Sequence, residues 1–104
     1  MPGFGDIMKQ AQKMRAEMER IQAEAAAKTV EGSAGGGMVT VVANGKGEIQ
    51  SVKIEPEVAR GEDLEMLQDL VMAAANDALR KARELLTQEV SRVAGGLGLP
   101  PGLL

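Results

Sequence analysis

Residues Glu31 to Glu55, EGSAGGGMVTVVANGKGEIQSVKIE, decide how the rest of this chain must be read. Val, Ile and Thr cluster here between Gly35-Gly36-Gly37 on one side and Asn44-Gly45-Lys46-Gly47 on the other, the composition of short strands and their turns. Met38 to Ala43 and Glu48 to Glu55 form a hairpin, because Asn and Gly tolerate the positive φ that a tight turn requires. A further strand covers about Lys28 to Ala34, so the stretch is a small antiparallel sheet. In the middle strand Val39 and Val41 point one way and Met38 and Val42 the other; apolar groups on both faces predict a central strand covered on both sides.

The glycines invite comparison with a phosphate-cradling loop. Neither G-x-x-x-x-G-K-[ST] nor G-x-G-x-x-G is present, and Gly45-Lys46 runs into Gly47, so a tight connection or hinge is the better reading.

Working outward, the segment before the sheet is helical. Asp6 is a candidate N-cap, and Ile7, Ala11, Met14, Met18, Ile21 and Ala25 alternate spacings of four and three up to a stop near Ala27. These six positions span roughly 80° of the helical wheel, a narrow seam suited to one partner helix. Lys9, Lys13 and Arg20 lie within about 40° of one another on the opposite side. They form a basic stripe, which also reads as an ordinary solvated face, since Glu17 and Glu24 are placed to pair with Lys13 and Arg20 at i, i+4.

After the sheet, Pro56 ends the last strand and Glu62, Asp63 and Glu65 put negative charge in the first turn of a second helix. Its apolar positions, from Leu64 to Val93, persist to Gly95-Gly96, giving a helix on the order of 50 Å long. A compact domain of this size has a radius of gyration of about 13 Å, so the helix must break, project into solvent or pack on a second subunit. Acidic residues occupy its first half, whereas Arg80, Lys81, Arg83 and Arg92 outweigh the acids of the second. Dipole complementarity explains that polarity, and Arg80, Lys81 and Arg83 make a second basic patch. Residues 1–94 thus read as one domain and residues 95–104 as a flexible Gly/Pro/Leu tail.

Composition narrows the function. The 104 residues include one Phe and no Trp or Tyr, so Met, Val, Leu and Ala must fill a thin core, and burial shared with a partner chain is favoured. Without Cys or His the commonest metal ligands and the commonest neutral-pH acid/base are missing. No enzyme activity, cofactor, metal or small-molecule substrate is expected. The first residues carry no apolar run of signal-peptide type and no window approaches a membrane span, so a cytoplasmic protein without membrane contact is expected. The formal net charge is −3, which by itself argues weakly against a nucleic-acid binder, although its distribution matters more than its sum.

The chain resembles the YbaB/EbfC family of bacterial nucleoid-associated proteins nearly end to end. The resemblance rests on GDIMKQAQKM in the first helix, VEGSAGGGMVTVVANGKGEIQSVKI through the sheet, DLEMLQDLVMAAANDALRKA in the second helix and the closing GGLGLPPGL. The glycine triplet followed by strand and N-G-K-G turn is its specific part. It implies an α+β chain of α-β-β-β-α order: a small antiparallel three-stranded sheet flanked by two long helices, forming an intertwined homodimer whose paired helices project like tweezers, bind double-stranded DNA and influence nucleoid organisation and gene expression. A dimer would also answer the missing bulk, the two-faced strand, the overlong helix and the unpaired seam; Met38, Val39, Val41, Val42, Leu67 and Val71 are its candidate interface. DNA contacts carried over from the family fall on Lys9, Lys13, Arg15 and Arg20 of the first helix and Arg80, Lys81 and Arg83 of the second. With no aromatic platform and no base-reading motif, such contacts are to phosphates, with weak sequence preference and strong salt dependence. The alternative is a structural or interaction dimer whose helices grip another protein without DNA.

Overall fold

A computed structural model describes residues 3–96. The order is α1 (Phe4–Ala27), β1 (Thr29–Ala34), β2 (Val39–Asn44), β3 (Ile49–Ile54), α2 (Pro56–Ala59) and α3 (Leu64–Gly96). The molecule measures 70 × 20 × 17 Å with a radius of gyration of 19.4 Å, far from the compact value because α1 and α3 extend beyond the sheet.

The sheet is an antiparallel meander in the order β1-β2-β3, with Gly32, Val41 and Val52 side by side and a bulge between Val42 and Ala43. Gly35, Gly36 and Gly37 all take positive φ in the first turn. In the second turn, Gly47 alone does so, which differs from the expectation for Asn44 and Gly45. The Asn44 side chain organises that turn instead, its Oδ1 accepting from the Lys46 and Glu48 N–H groups at 3.0 Å each. Gly45 serves close approach: its N–H donates to the Ala25 carbonyl at 2.8 Å, and a Cβ there would lie 2.7 Å from that oxygen. The turn is thereby joined to the end of α1.

The core forms where α3 crosses β1 and β2. Ala74, Ala78 and Ala82, spaced four apart on one helical face, bury completely with Val39, Val41 and Ala43. Each buried Val contributes on the order of 1.5–3 kcal/mol. Opposite the alanines sits Gly32, where a Cβ would lie 2.2 Å from the Ala78 nitrogen and 2.5 Å from the Ala74 carbonyl oxygen. Small residues on both sides let helix backbone rest on strand backbone. The outer edge of β1 is closed by α3 as well: the Ser33 N–H donates to Asp77 Oδ2 at 3.2 Å, and Lys81 Nζ donates to the Glu31 carbonyl at 2.9 Å. Side chains thus occupy groups that an unpaired edge would offer to another strand.

Within the single chain cover is one-sided, which leaves the second face expected from β2 to a partner chain. The face away from α3 carries Glu31, Ser33, Thr40, Ser51 and Lys53 around Val42, and this largely polar set is open within the chain. On the α3 face, the helix does not reach all of β3: Ile49 and Val52, paired with buried Ala43 and Val41, remain 46% and 48% exposed.

Element boundaries differ in detail. Helix α1 starts at Phe4 with Gly3 as N-cap, placing Asp6 inside the first turn, where it complements the dipole. Pro56 opens the one-turn α2 at its first position. Helix α3 starts at Leu64, two residues later than expected, because Asp63 caps it: Asp63 Oδ1 accepts from the Met66 N–H at 2.9 Å. It then continues through Gly95 and Gly96; the remainder of the expected tail lies outside the described residues.

Half of the heptad seam finds a partner within the chain. Helix α1 runs antiparallel to the distal half of α3, with Lys28 beside Glu89 and Glu24 beside Arg92. Ile21 and Ala25 are buried there together with Val93 and Ala94 of α3. Met18 is half-buried, and Ile7, Ala11 and Met14 are exposed. The first half of α1 is a free arm.

Candidate nucleic-acid interface

The seven candidate cations divide by what already holds them. Lys9 and Lys13 are exposed on the free arm of α1 and, among the described residues, have no carboxylate within ion-pair distance; Arg83 on α3 is in the same state. Arg15 pairs loosely with Glu19 at 3.5 Å, both well exposed. Arg20 is held by two carboxylates, Glu17 at 2.5 Å and Glu24 at 2.9 Å, and the hydrogen bond it donates to Glu17 leads in raising its pKa. The expected Lys13–Glu17 pair does not form, because Glu17 is taken by Arg20.

On α3, Arg80 forks between Asp77 and Glu84, at 2.8 Å each. Lys81 points to the β1 edge, bonding the Glu31 carbonyl and lying 3.3 Å from Asp77. Asp77 is the hub of this group. Its carboxyl is held below the usual range first by Arg80, with the Ser33 N–H and Lys81 adding to the effect.

These cations do not form one surface in a single chain. The seam side of α1 meets α3, so Lys9 and Lys13 on the opposite stripe face away from α3, whereas Arg20 is linked to Arg92 of α3 through Glu24. Arg80 and Arg83 line a shallow depression of about 380 Å³ with Glu84, Thr87 and Gln88. At the glycine-triplet end, Asp63, Glu65 and Asp69 line another, of about 510 Å³, with Ala34, Gly35 and Leu70. From Asp69 to Arg83 is about 21 Å along the helix axis, so these two depressions lie well apart on α3.

Of the candidate interface residues, Val39 and Val41 are covered by the chain's own α3, and Leu67 and Val71 pack against the same core half-buried. Met38 is exposed and Val42 half-buried on the open face. Other exposed apolar groups are Phe4, Ile7, Met8 and Met14 on α1, Ile49 and Val52 on β3, and Leu64, Met66 and Met72 on α3. Leu64 and Met72 lie within about 80° on the helix.

Four further groups do not stand out in the sequence. Lys46, Lys53 and Arg60 are exposed cations with no ion pair among the described residues; by its position in N-G-K-G, Lys46 reads as a turn residue alone. The fourth is Glu89, 6% exposed, whose carboxylate takes both Lys28 and Arg92. Those bonds, Lys28 first, lower its pKa from 4.5 to about 2. A signal for it exists, since Glu89 falls within about 40° of Ala82 and Val93 on the wheel, the inward side of α3.

The chain is therefore an α+β protein of α-β-β-β-α order carrying a cation-bearing helical arm. The YbaB/EbfC DNA-binding family model matches residues 1–97, and the chain belongs to that family. The family is described by DNA binding and not by a reaction. Among similar proteins, a nucleoid-associated protein of Acetivibrio thermocellus is 58% identical over 106 residues, covering 98% of this chain and 94% of the relative. One from Ruminiclostridium cellulolyticum is 51% identical, covering 97% and 91%. The crystal structure of the uncharacterized protein HP0035 from Helicobacter pylori matches with a TM-score of 0.76 at 25% identity, over 93% of this chain and 98% of that one.

Proposed function

We propose that this chain is a nucleoid-associated DNA-binding protein of the bacterial cytoplasm, acting as a homodimer that contacts duplex DNA through phosphates, with weak sequence preference, and so influences nucleoid organisation and gene expression. The family match across residues 1–97 carries the reading. Lys9, Lys13 and Arg83, exposed and without an ion pair among the described residues, support it, because there a phosphate displaces no carboxylate. Arg15, Arg20 and Arg80 contribute after exchanging a carboxylate for a phosphate, and Lys81 contributes least.

Dimerisation is supported by the thin core and by the exposed apolar groups on β3 and the adjoining α3. A second chain covering Ile49, Val52, Leu64 and Met72 would bury what α3 leaves open, with Met38, Val42, Leu67 and Val71 at its margins. Sedimentation at micromolar concentration is expected to show a dimer; a stable monomer would refute this part.

The test of DNA binding is a salt titration of duplex affinity for the wild type and for the Lys9→Ala, Lys13→Ala, Arg83→Ala triple variant. The variant is expected to bind more weakly, its log–log salt slope shallower by about 0.9 for each phosphate it no longer neutralises. Unchanged affinity and slope would sink the assignment. The ion pairs that hold Arg20, Arg80 and Lys81 favour one other reading, a dimer gripping a protein; it would be preferred if the wild type retained no duplex at low salt.

A further inference from the structure

Where α1 meets α3, six charged side chains form one continuous series of ion pairs. Glu17 holds Arg20 at 2.5 Å, Arg20 holds Glu24 at 2.9 Å, and Glu24 lies 3.4 Å from Arg92. Arg92 holds Glu89 at 2.7 Å, and Glu89 bonds Lys28. Glu89 is the buried member, with 8% of its side chain exposed.

Burying a carboxylate at a helix junction is unfavourable unless cations meet it, and an apolar residue of similar volume is often as stable or more so. What paired charges add is direction, since Glu89 is satisfied where Lys28 at the end of α1 and Arg92 on α3 both reach it. The apolar packing beside it specifies little by itself. Ile21, Ala25, Val93 and Ala94 supply the buried groups, and two alanines offer few knobs to fix a crossing angle.

The angle matters because α1 is a lever. From Ala25 to Lys9 the helix spans about 24 Å, so a 10° swing at the junction moves Lys9 by about 4 Å. That exceeds the spacing of about 3.4 Å between phosphates of one strand along the duplex axis.

We propose that Glu89 is a positioning residue for DNA binding: without touching DNA, it fixes the angle at which α1 leaves α3, and with it the spacing of Lys9 and Lys13 from Arg83. The inference rests on the DNA-binding reading above. Charge and position make opposite demands here, and this opposition makes it testable. Glu89→Gln removes a negative charge, frees Lys28 and leaves Arg92 with Glu24 alone, which by charge alone strengthens phosphate binding. Glu84→Gln likewise removes a negative charge at an exposed site, leaving Arg80 with one carboxylate, Asp77, instead of two, and serves as the control.

The protein contains no cysteine, so spin labels at Gln12→Cys and Asn76→Cys report one distance within the full chain when diluted with unlabelled protein. The wild type is expected to give a narrow distribution and Glu89→Gln a broadened or shifted one. Duplex affinity is expected to tighten in Glu84→Gln and to weaken roughly 2- to 30-fold in Glu89→Gln, the range typical of remote coupling residues. An unchanged distribution, or tightening like that of Glu84→Gln, would overturn the proposal. Far-UV circular dichroism checks the fold. Should Glu89→Gln lose helix, Lys28→Gln, which leaves the Glu89–Arg92 pair in place, carries the distance measurement, and a wild-type distribution there counts equally against the idea. If the wild type retains no duplex, the DNA part falls with the proposed function, while the distance distributions still decide whether Glu89 fixes the arm.

Discussion

Replacing Gly32 by Ala would put a methyl group where the backbone of α3 already lies. The added carbon would stand 2.2 Å from the Ala78 nitrogen, 2.5 Å from the Ala74 oxygen and 2.7 Å from the Ala78 Cα. All three are backbone atoms, so no side chain can rotate away. Relief to an ordinary separation near 3.5 Å requires α3 to retreat by about 1.3 Å. A retreat of that size lifts Ala74, Ala78 and Ala82 off Val39, Val41 and Ala43, where a gap of about 0.5–1 Å already forfeits a quarter to a half of the dispersion energy. It also stretches the two bonds that close the β1 edge, from Ser33 to Asp77 and from Lys81 to Glu31. Overpacking costs about 1–3 kcal/mol, and the reduced entropy of the unfolded chain returns about 0.4–1 kcal/mol. With the weakened edge bonds, a net loss near 3 kcal/mol is expected, a large share of the roughly 5–15 kcal/mol that stabilises a domain of this size. Urea unfolding followed by far-UV circular dichroism measures it, since the chain has no Trp or Tyr. Protein concentration is held fixed because a dimer's midpoint depends on it. Gly36→Ala is the control: its φ is +68° with nothing within 4 Å of the new carbon, so it bears the left-handed backbone penalty of about 1–2 kcal/mol alone. A Gly32→Ala protein no less stable than Gly36→Ala would refute the close-packing account.

Two other expectations follow from the ion pairs. Glu89 has its pKa lowered in the folded state to about 2 by Lys28 and then Arg92, so its stabilisation is present above the unfolded value near 4.5 and lost as pH falls toward 2. Urea midpoints measured across that window should fall less steeply in Glu89→Gln than in the wild type; equal slopes would contradict the assignment. Lys81→Met should lower the urea midpoint by opening the β1 edge while changing the DNA salt slope by less than a single phosphate's share, whereas Arg83→Ala should do the reverse. Interchanged results would show that Lys81 is the group that meets DNA.

The sheet is readable in the sequence because its turns carry strong local signals: the glycine triplet and N-G-K-G bracket β2 whatever the rest of the chain does. The length of α3 is equally readable, its apolar period running without a break to the closing glycines. Helix α2 escapes notice because four residues are too few to show a period. Gly32 looks like an interruption, and its purpose depends on Ala74 and Ala78, more than forty residues away in sequence, resting on it. The seam of α1 does signal a partner helix, but periodicity does not name the partner, and α3 of the same chain supplies half of it. For the charged groups, sequence locates the patches and not their pairing. Arg20 and Arg83 look alike on a wheel, yet two carboxylates hold one and, among the described residues, none holds the other.

That difference bears on how a chain of net charge −3 can bind a polyanion. Arg15, Arg20, Lys28, Arg80, Lys81 and Arg92 are engaged by carboxylates. Lys9, Lys13, Lys46, Lys53, Arg60 and Arg83 are not, among the described residues. Of the acid on α3, Glu65 and Asp69 lie at its far end, and the span of about 21 Å from Asp69 to Arg83 is more than twice the Debye length of about 8 Å at physiological ionic strength. A phosphate at Arg83 is therefore screened from Asp63, Glu65 and Asp69 and responds to its immediate neighbours. Lys9 or Lys13 offers it a cation that no carboxylate within reach has claimed. At Arg20 or Arg80 it must compete with two carboxylates, so the exchange gains little. Net charge sums these unlike situations into one number, whereas affinity depends on where the unclaimed cations stand relative to one another, and hence on the angle of the arm that carries Lys9 and Lys13.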